Sequence, residues 1–132
     1  MEKGKLYDLV GLDHVVLRVK DMAASIRFYT ETLGLTLDHV DEKISLVQLR
    51  CGAHLIDLLP LLPNAQPSVP DSKIDHICLS IRCESLENVV NNLKNRRVMF
   101  EGEIVSRRGA FGQGPSIYLR DPDGYRIELK PR

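Results

Sequence analysis

Along the first half of the chain the apolar positions change period twice. From His14 to Val19 they alternate, with Val15, Leu17 and Val19 on one side and His14, Val16 and Arg18 on the other, which predicts a strand. From Met22 they fall at helical spacing through Ile26, Tyr29 and Leu33, with Asp21 placed to cap the start and Gly34 after the end. β-rich runs follow at about 36–41, 44–51 and 53–59, broken by an acidic turn near Asp41 and Glu42 and by Gly52. The predicted order is βαβββ.

The same order returns. Leu12-Asp13-His14-Val15-Val16-Leu17 reappears 62 residues later as Ile74-Asp75-His76-Ile77-Cys78-Leu79. Ser85 is a plausible cap for a second helix carrying Leu86, Val89, Val90 and Leu93, and strands are expected at about 102–107, 114–120 and 124–130. Glycines 109, 112 and 114 and the turn Asp121-Pro122-Asp123-Gly124 separate these runs. Between the copies, Pro60, Pro63, Pro67 and Pro70 exclude both helix interior and central strand. The chain therefore reads as one α+β domain over 1–132, with module 1 at about 11–60, a linker at 61–72 and module 2 at about 73–131. A single copy of some sixty residues buries too little apolar surface to stand alone, so the halves should pack together or exchange with a second chain.

Alternation also assigns the polar side chains. His14 and Arg18, His76 with Cys78 and Ser80, Asp57, and Glu128 with Arg126 and Lys130 all point away from the helices. Each half thus contributes one imidazole and one carboxylate. If the sheets curl around a shared concave surface, His14, Asp57, His76 and Glu128 can converge on a divalent transition metal. His54 falls on the face opposite Asp57 and His39 in an exposed-looking strand, so neither is expected to be a ligand. Cys78 reads as a small hydrophobe rather than a nucleophile. The basic, glycine-rich stretch 106–114 reads as a mobile lid or a hairpin tip, with Arg108 a candidate for an anionic substrate.

Composition narrows the partners. Lys plus Arg and Asp plus Glu number 18 each, so zero net charge offers nothing to nucleic acid or to an anionic bilayer, and a small-molecule partner is expected. Three unpaired cysteines and no long apolar run suggest a cytoplasmic protein with no membrane contact.

Leu12-Asp13-His14-Val15, Phe28-Tyr29 before Leu33-Gly34-Leu35, and Asp121-Pro122-Asp123-Gly124-Tyr125-Arg126-Ile127-Glu128-Leu129 together resemble the vicinal oxygen chelate superfamily, which includes glyoxalases, bleomycin resistance proteins and extradiol dioxygenases. The resemblance spans nearly the whole chain. It implies a cupped mixed sheet in each βαβββ module, a homodimer of the kind whose sites can be completed across chains, and a divalent ion (Ni, Zn, Mn, Co or Fe) held by His14, His76 and Glu128, with Asp57 as a fourth ligand or a proton carrier. It implies a lyase or isomerase similar to lactoylglutathione lyase, in which Glu128 and Asp57 move a proton next to a chelated carbonyl or enediolate. Arg18 matches an arginine that meets a glutathione carboxylate, whereas Leu61 stands where glyoxalase I has a polar residue. Arg18, Tyr118, Arg120 and Arg108 are the substrate-binding candidates, for a thiol conjugate or an anionic carbonyl compound. The resemblance leaves open an Fe(II) extradiol dioxygenase, a thiol transferase, and a metal-free drug-binding or resistance protein.

Overall fold

The computed structural model describes Lys3, Leu6 and residues 8–64 and 74–132. Positions 65–72 of the expected linker lie outside the described residues. The first module runs β1 (His14–Val19), α1 (Met22–Arg27) continuing into a π-helical turn (Phe28–Thr32), β2 (Thr36–Asp41), β3 (Leu46–Cys51) and β4 (His54–Pro60). The second runs β5 (Ile77–Ile81), α2 (Leu86–Lys94), β6 (Met99–Gly109), β7 (Gly112–Arg120) and β8 (Arg126–Pro131).

Each module folds as a four-stranded mixed sheet, ordered β1-β4-β3-β2 and β5-β8-β7-β6. The first strand pairs parallel with the last, and the remaining pairs are antiparallel. In that register Val16 lies opposite Asp57, and Cys78 opposite Glu128. The repeat therefore fixes equivalent polar positions in both sheets.

Both predicted caps form. The Asp21 carboxylate accepts from the Ala24 amide at 3.0 Å, and the Ser85 hydroxyl from the Asn88 amide at 3.0 Å. The lower half of the first helix departs from the expected α geometry. Thr30 Oγ1 donates to the Ile26 carbonyl at 2.7 Å, and the Leu33 amide reaches back to the Phe28 carbonyl at 3.0 Å, which widens the last turn.

A single core joins the halves. Leu17, Tyr29, Leu49 and Leu58 from module 1 cluster with Leu86, Ile117, Leu119 and Ile127 from module 2. Polar contacts reinforce the joint, and most centre on the turn Asp121–Gly124. Tyr29, fully buried, donates its hydroxyl to Asp121 Oδ2 at 2.6 Å. Asp123 accepts from the Lys20 amide at 2.8 Å and the Ser25 hydroxyl at 3.2 Å, and the Tyr125 hydroxyl donates to the Arg18 carbonyl at 3.0 Å. Among the described residues no helix is long and apolar enough to cross a membrane.

The glycine-rich stretch forms no separate lid. Its ladder runs unbroken from Val105↔Ser116 to Gly109↔Gly112, closing on a two-residue turn of Ala110 and Phe111.

Candidate metal centre

The two histidines share one device. His14 Nδ1 lies 2.7 Å from Asp13 Oδ1 and His76 Nδ1 lies 2.6 Å from Asp75 Oδ2, so in each module the preceding aspartate engages Nδ1 and leaves Nε2 as the outward nitrogen. An imidazole held in this way can offer Nε2 to an ion once that nitrogen carries no proton, the arrangement commonly found behind metal-bound histidine. Asp13 holds the His14 imidazole above the ordinary histidine range through that hydrogen bond.

In module 2 the imidazole meets a carboxylate. His76 Nε2 is 2.9 Å from Glu128 Oε1, and Ser116 donates its hydroxyl to Glu128 Oε2 at 2.6 Å. Burial pushes the Glu128 carboxyl up, but hydrogen bonds from Ser116 and Tyr118 and the neighbouring His76 outweigh it and hold the group below the usual glutamate value. Glu128 is therefore ionised at neutral pH, as a ligand must be.

Around this pair lies a polar chain. The Tyr118 ring stands edge-on to His76 with centroids 5.3 Å apart, and Arg126 lies 3.9 Å over its face. Arg126 donates to Asp75 at 2.8 Å and to Glu101 at 2.6 Å, and Arg120 pairs with the other Glu101 oxygen. Arg120, Arg126, Glu101 and His76 line a pocket of about 480 Å³ that also touches Leu17 of module 1.

Module 1 is less complete. Asp57 is only 3% exposed, and Gln48 donates to both of its oxygens, at 3.3 and 3.1 Å. His14 instead lines a depression of about 400 Å³ together with Cys78 and Ser80 of module 2. Among the described residues no three His, Cys, Asp or Glu side chains stand close enough to hold a metal ion. The chain thus brings His76 to Glu128 and leaves His14 and Asp57 apart from them.

The remaining candidates fall variously. Arg18 is exposed and donates to the Pro60 carbonyl at 3.0 Å. Arg108 is exposed and pairs with Gln113, whereas Arg107 shares a face with Tyr118 and donates to its hydroxyl at 3.3 Å. His39 and His54 are exposed. Cys78 is exposed as a residue but its sulfur is partly desolvated, and that desolvation, with the charge and hydrogen bond of Glu128, pushes the thiol up to about 11. It is a thiol, not a thiolate, at neutral pH. Gln48 and Ser116 went unnoticed in the sequence because each acts through a cross-strand neighbour that only the register reveals.

Residues 11–129 match the model of the Glyoxalase/Bleomycin resistance protein/Dioxygenase superfamily. The chain belongs to this superfamily. Within it the chain is 35% identical over 122 residues to virulence protein STM3117 of Salmonella typhimurium, covering 89% of this chain and 81% of that one. The crystal structure of that relative superposes with a TM-score of 0.74 over 95% of this chain and 98% of its own, at 31% identity. Metallothiol transferase FosB of Staphylococcus epidermidis is 30% identical, covering 92% of this chain and 82% of the relative. Glyoxalase I of Saccharomyces cerevisiae is 29% identical over 98% of this chain, which spans only 47% of that longer protein. The superfamily thus contains metal-dependent thiol transferases and lyases on the same scaffold.

Proposed function

We propose that the protein is a divalent-metal-dependent, glyoxalase-like enzyme of the lyase or isomerase class that works as a homodimer, each site formed by His76 and Glu128 of one subunit and His14 of the partner subunit. The observation that carries this reading is the paired Asp–His device. Both imidazoles are backed at Nδ1 by carboxylate, and one already has its Nε2 beside a buried glutamate. An imidazole pair with a carboxylate suits a divalent ion, whose Lewis acidity would polarise two neighbouring oxygens of a substrate. Val16 is 46% exposed on the face that carries His14 and Asp57, which supports a second subunit covering that face.

Glu128 has the position and ionisation of the base that takes a proton from carbon beside the substrate carbonyl, and Asp57 of the partner subunit, on the same face as His14 and held by Gln48, is its partner acid. Arg120 and Arg126 line the pocket beside His76, with Tyr118 next to His76 between Arg126 and Arg107, and this basic surround fits an anionic carbonyl or thiol conjugate. A thiol transfer on the same site is the second reading, favoured by the likeness to FosB over most of that protein's length.

Co-expression of His14→Ala with His76→Ala tests the arrangement. Half of the dimers would be mixed, and each mixed dimer regains one intact site, so metal content should recover to about a quarter of wild type while each variant alone stays near zero. No recovery beyond the separate variants would overturn completion across subunits.

A further inference from the structure

We propose that Lys130 is the anchor of an oxyanion subsite beneath the β6–β7 hairpin, which receives a carboxylate or phosphoryl group of the substrate. Lys130 follows Glu128 by two residues on the same face of β8, so the two side chains emerge about 7 Å apart. It is only 7% exposed, and among the described residues it forms no ion pair. Its ammonium donates to the Arg107 carbonyl at 2.7 Å. An ammonium has three donors, and a buried cation without a counter-charge is costly, so the remaining donors call for an anion.

The surroundings are built around this side chain. Gly109 and Gly114 face it from the hairpin, where an added methyl would lie 3.0 Å from the Lys130 Cδ and Cε atoms at Gly109 and 3.3 Å from Nζ at Gly114. The glycines thus let two strands close over the lysine stem. Beside it opens a pocket of about 190 Å³, lined also by Ser80, Gln113, Cys78 and Arg132, and no aspartate or glutamate lines it. Ser80, exposed directly across the ladder from Lys130, offers a hydroxyl to the same space. The Arg132 guanidinium, 4.4 Å over the Phe111 ring, adds a second positive charge at the rim. Cys78, across from Glu128, lies between this pocket and the metal-binding pair. An oxyanion on Lys130 therefore leaves the rest of the molecule extending over Cys78 toward His76 and Glu128.

This subsite deepens the proposed function and rests on it for the direction in which the substrate lies. It selects carbonyl or thiol compounds that carry an anionic group at the end away from the reacting carbon or sulfur.

Inorganic phosphate is the probe. In the full-length chain, nitrogen-15 amide shifts are followed during phosphate titration at constant ionic strength, in both metal-stripped and metal-loaded protein. We expect saturable shifts at Ser80, Gly109 and Gly112 in both states. Affinity should be weaker by about tenfold or more in Lys130→Gln, with metal content unchanged, as loss of one charged hydrogen bond implies. Ser80→Ala, an exposed change that cannot disturb the core, should weaken it several-fold. Absence of saturable shifts at these amides overturns the subsite, as does undiminished affinity in Lys130→Gln. Should that variant not fold, undiminished affinity in Ser80→Ala overturns it equally. A chain that binds phosphate here yet takes up no metal would refute the proposed metal centre and leave the subsite standing.

Discussion

At the scale of single residues, each imidazole of the proposed metal site is held by the aspartate before it. Asp75→Asn keeps the shape but weakens the acceptor that fixes His76, and metal affinity should fall roughly 10–100-fold by chelator competition, whereas His76→Ala or Glu128→Gln should abolish it with the fold retained. Asp57→Asn should leave metal content intact and remove turnover if Asp57 carries a proton rather than the ion. Tyr29 makes a different kind of bond. Tyr29→Phe strands a buried Asp121 oxygen and should cost about 1.5–3 kcal/mol in urea unfolding. The histidines and Glu128 were legible because the repeat placed them twice on matching faces. Which of Arg107 and Arg108 meets Tyr118 was not, because Gly102, at φ +68, and the register shift between Glu101 and Val105 break the simple alternation of β6 before it reaches the arginines.

At the scale of elements, the hairpin of β6 and β7 shows how packing overrides local signals. Its glycines allowed either a mobile lid or a hairpin tip, and the hairpin forms, with the glycines closing over Lys130. The order of strands and helices in both modules followed from periodicity, but the π-helical turn did not. It arises where Thr30 takes the Ile26 carbonyl, a choice invisible to apolar spacing. Between strands, Glu101 bridges β6 to Arg120 of β7 and Arg126 of β8, and hydrogen bonds from Arg120 first, then Arg126, hold its carboxyl below the usual glutamate value of 4.5 against the opposing effect of burial. A carboxylate depressed in the folded state contributes stability above its unfolded value, and that share is lost as pH falls through the lowered one. Urea midpoints should therefore drop in acid below about pH 4.5, and Glu101→Gln should flatten part of that drop while lowering the neutral midpoint.

At the scale of the whole molecule, the four groups do not come together within one chain, which leaves the other arrangement the resemblance implied, a site completed across two chains. The reason lies in how the modules meet. They share one core and are tied by the Asp121–Gly124 turn, which holds α1 against module 2 and leaves His14 apart from His76 and Glu128. No local pattern encodes that docking, because it is a relation between two surfaces distant in sequence. If the sites form across two copies, sedimentation should give twice 14.9 kDa, and the mass should fall toward one copy when Val16→Glu places a charge on the open face of module 1.

The bond between Tyr29 and Asp121 also bears on the history of the duplication. The first half holds the tyrosine and the second the aspartate, while the matching positions, counted from the helix caps Asp21 and Ser85, are Leu93 on the second helix and a two-residue turn at Gly52 and Ala53. Two copies of either half would lack one partner of the pair. Once these roles diverged, the halves ceased to be interchangeable, and an ancestor with identical modules can no longer be rebuilt by simply repeating one of them.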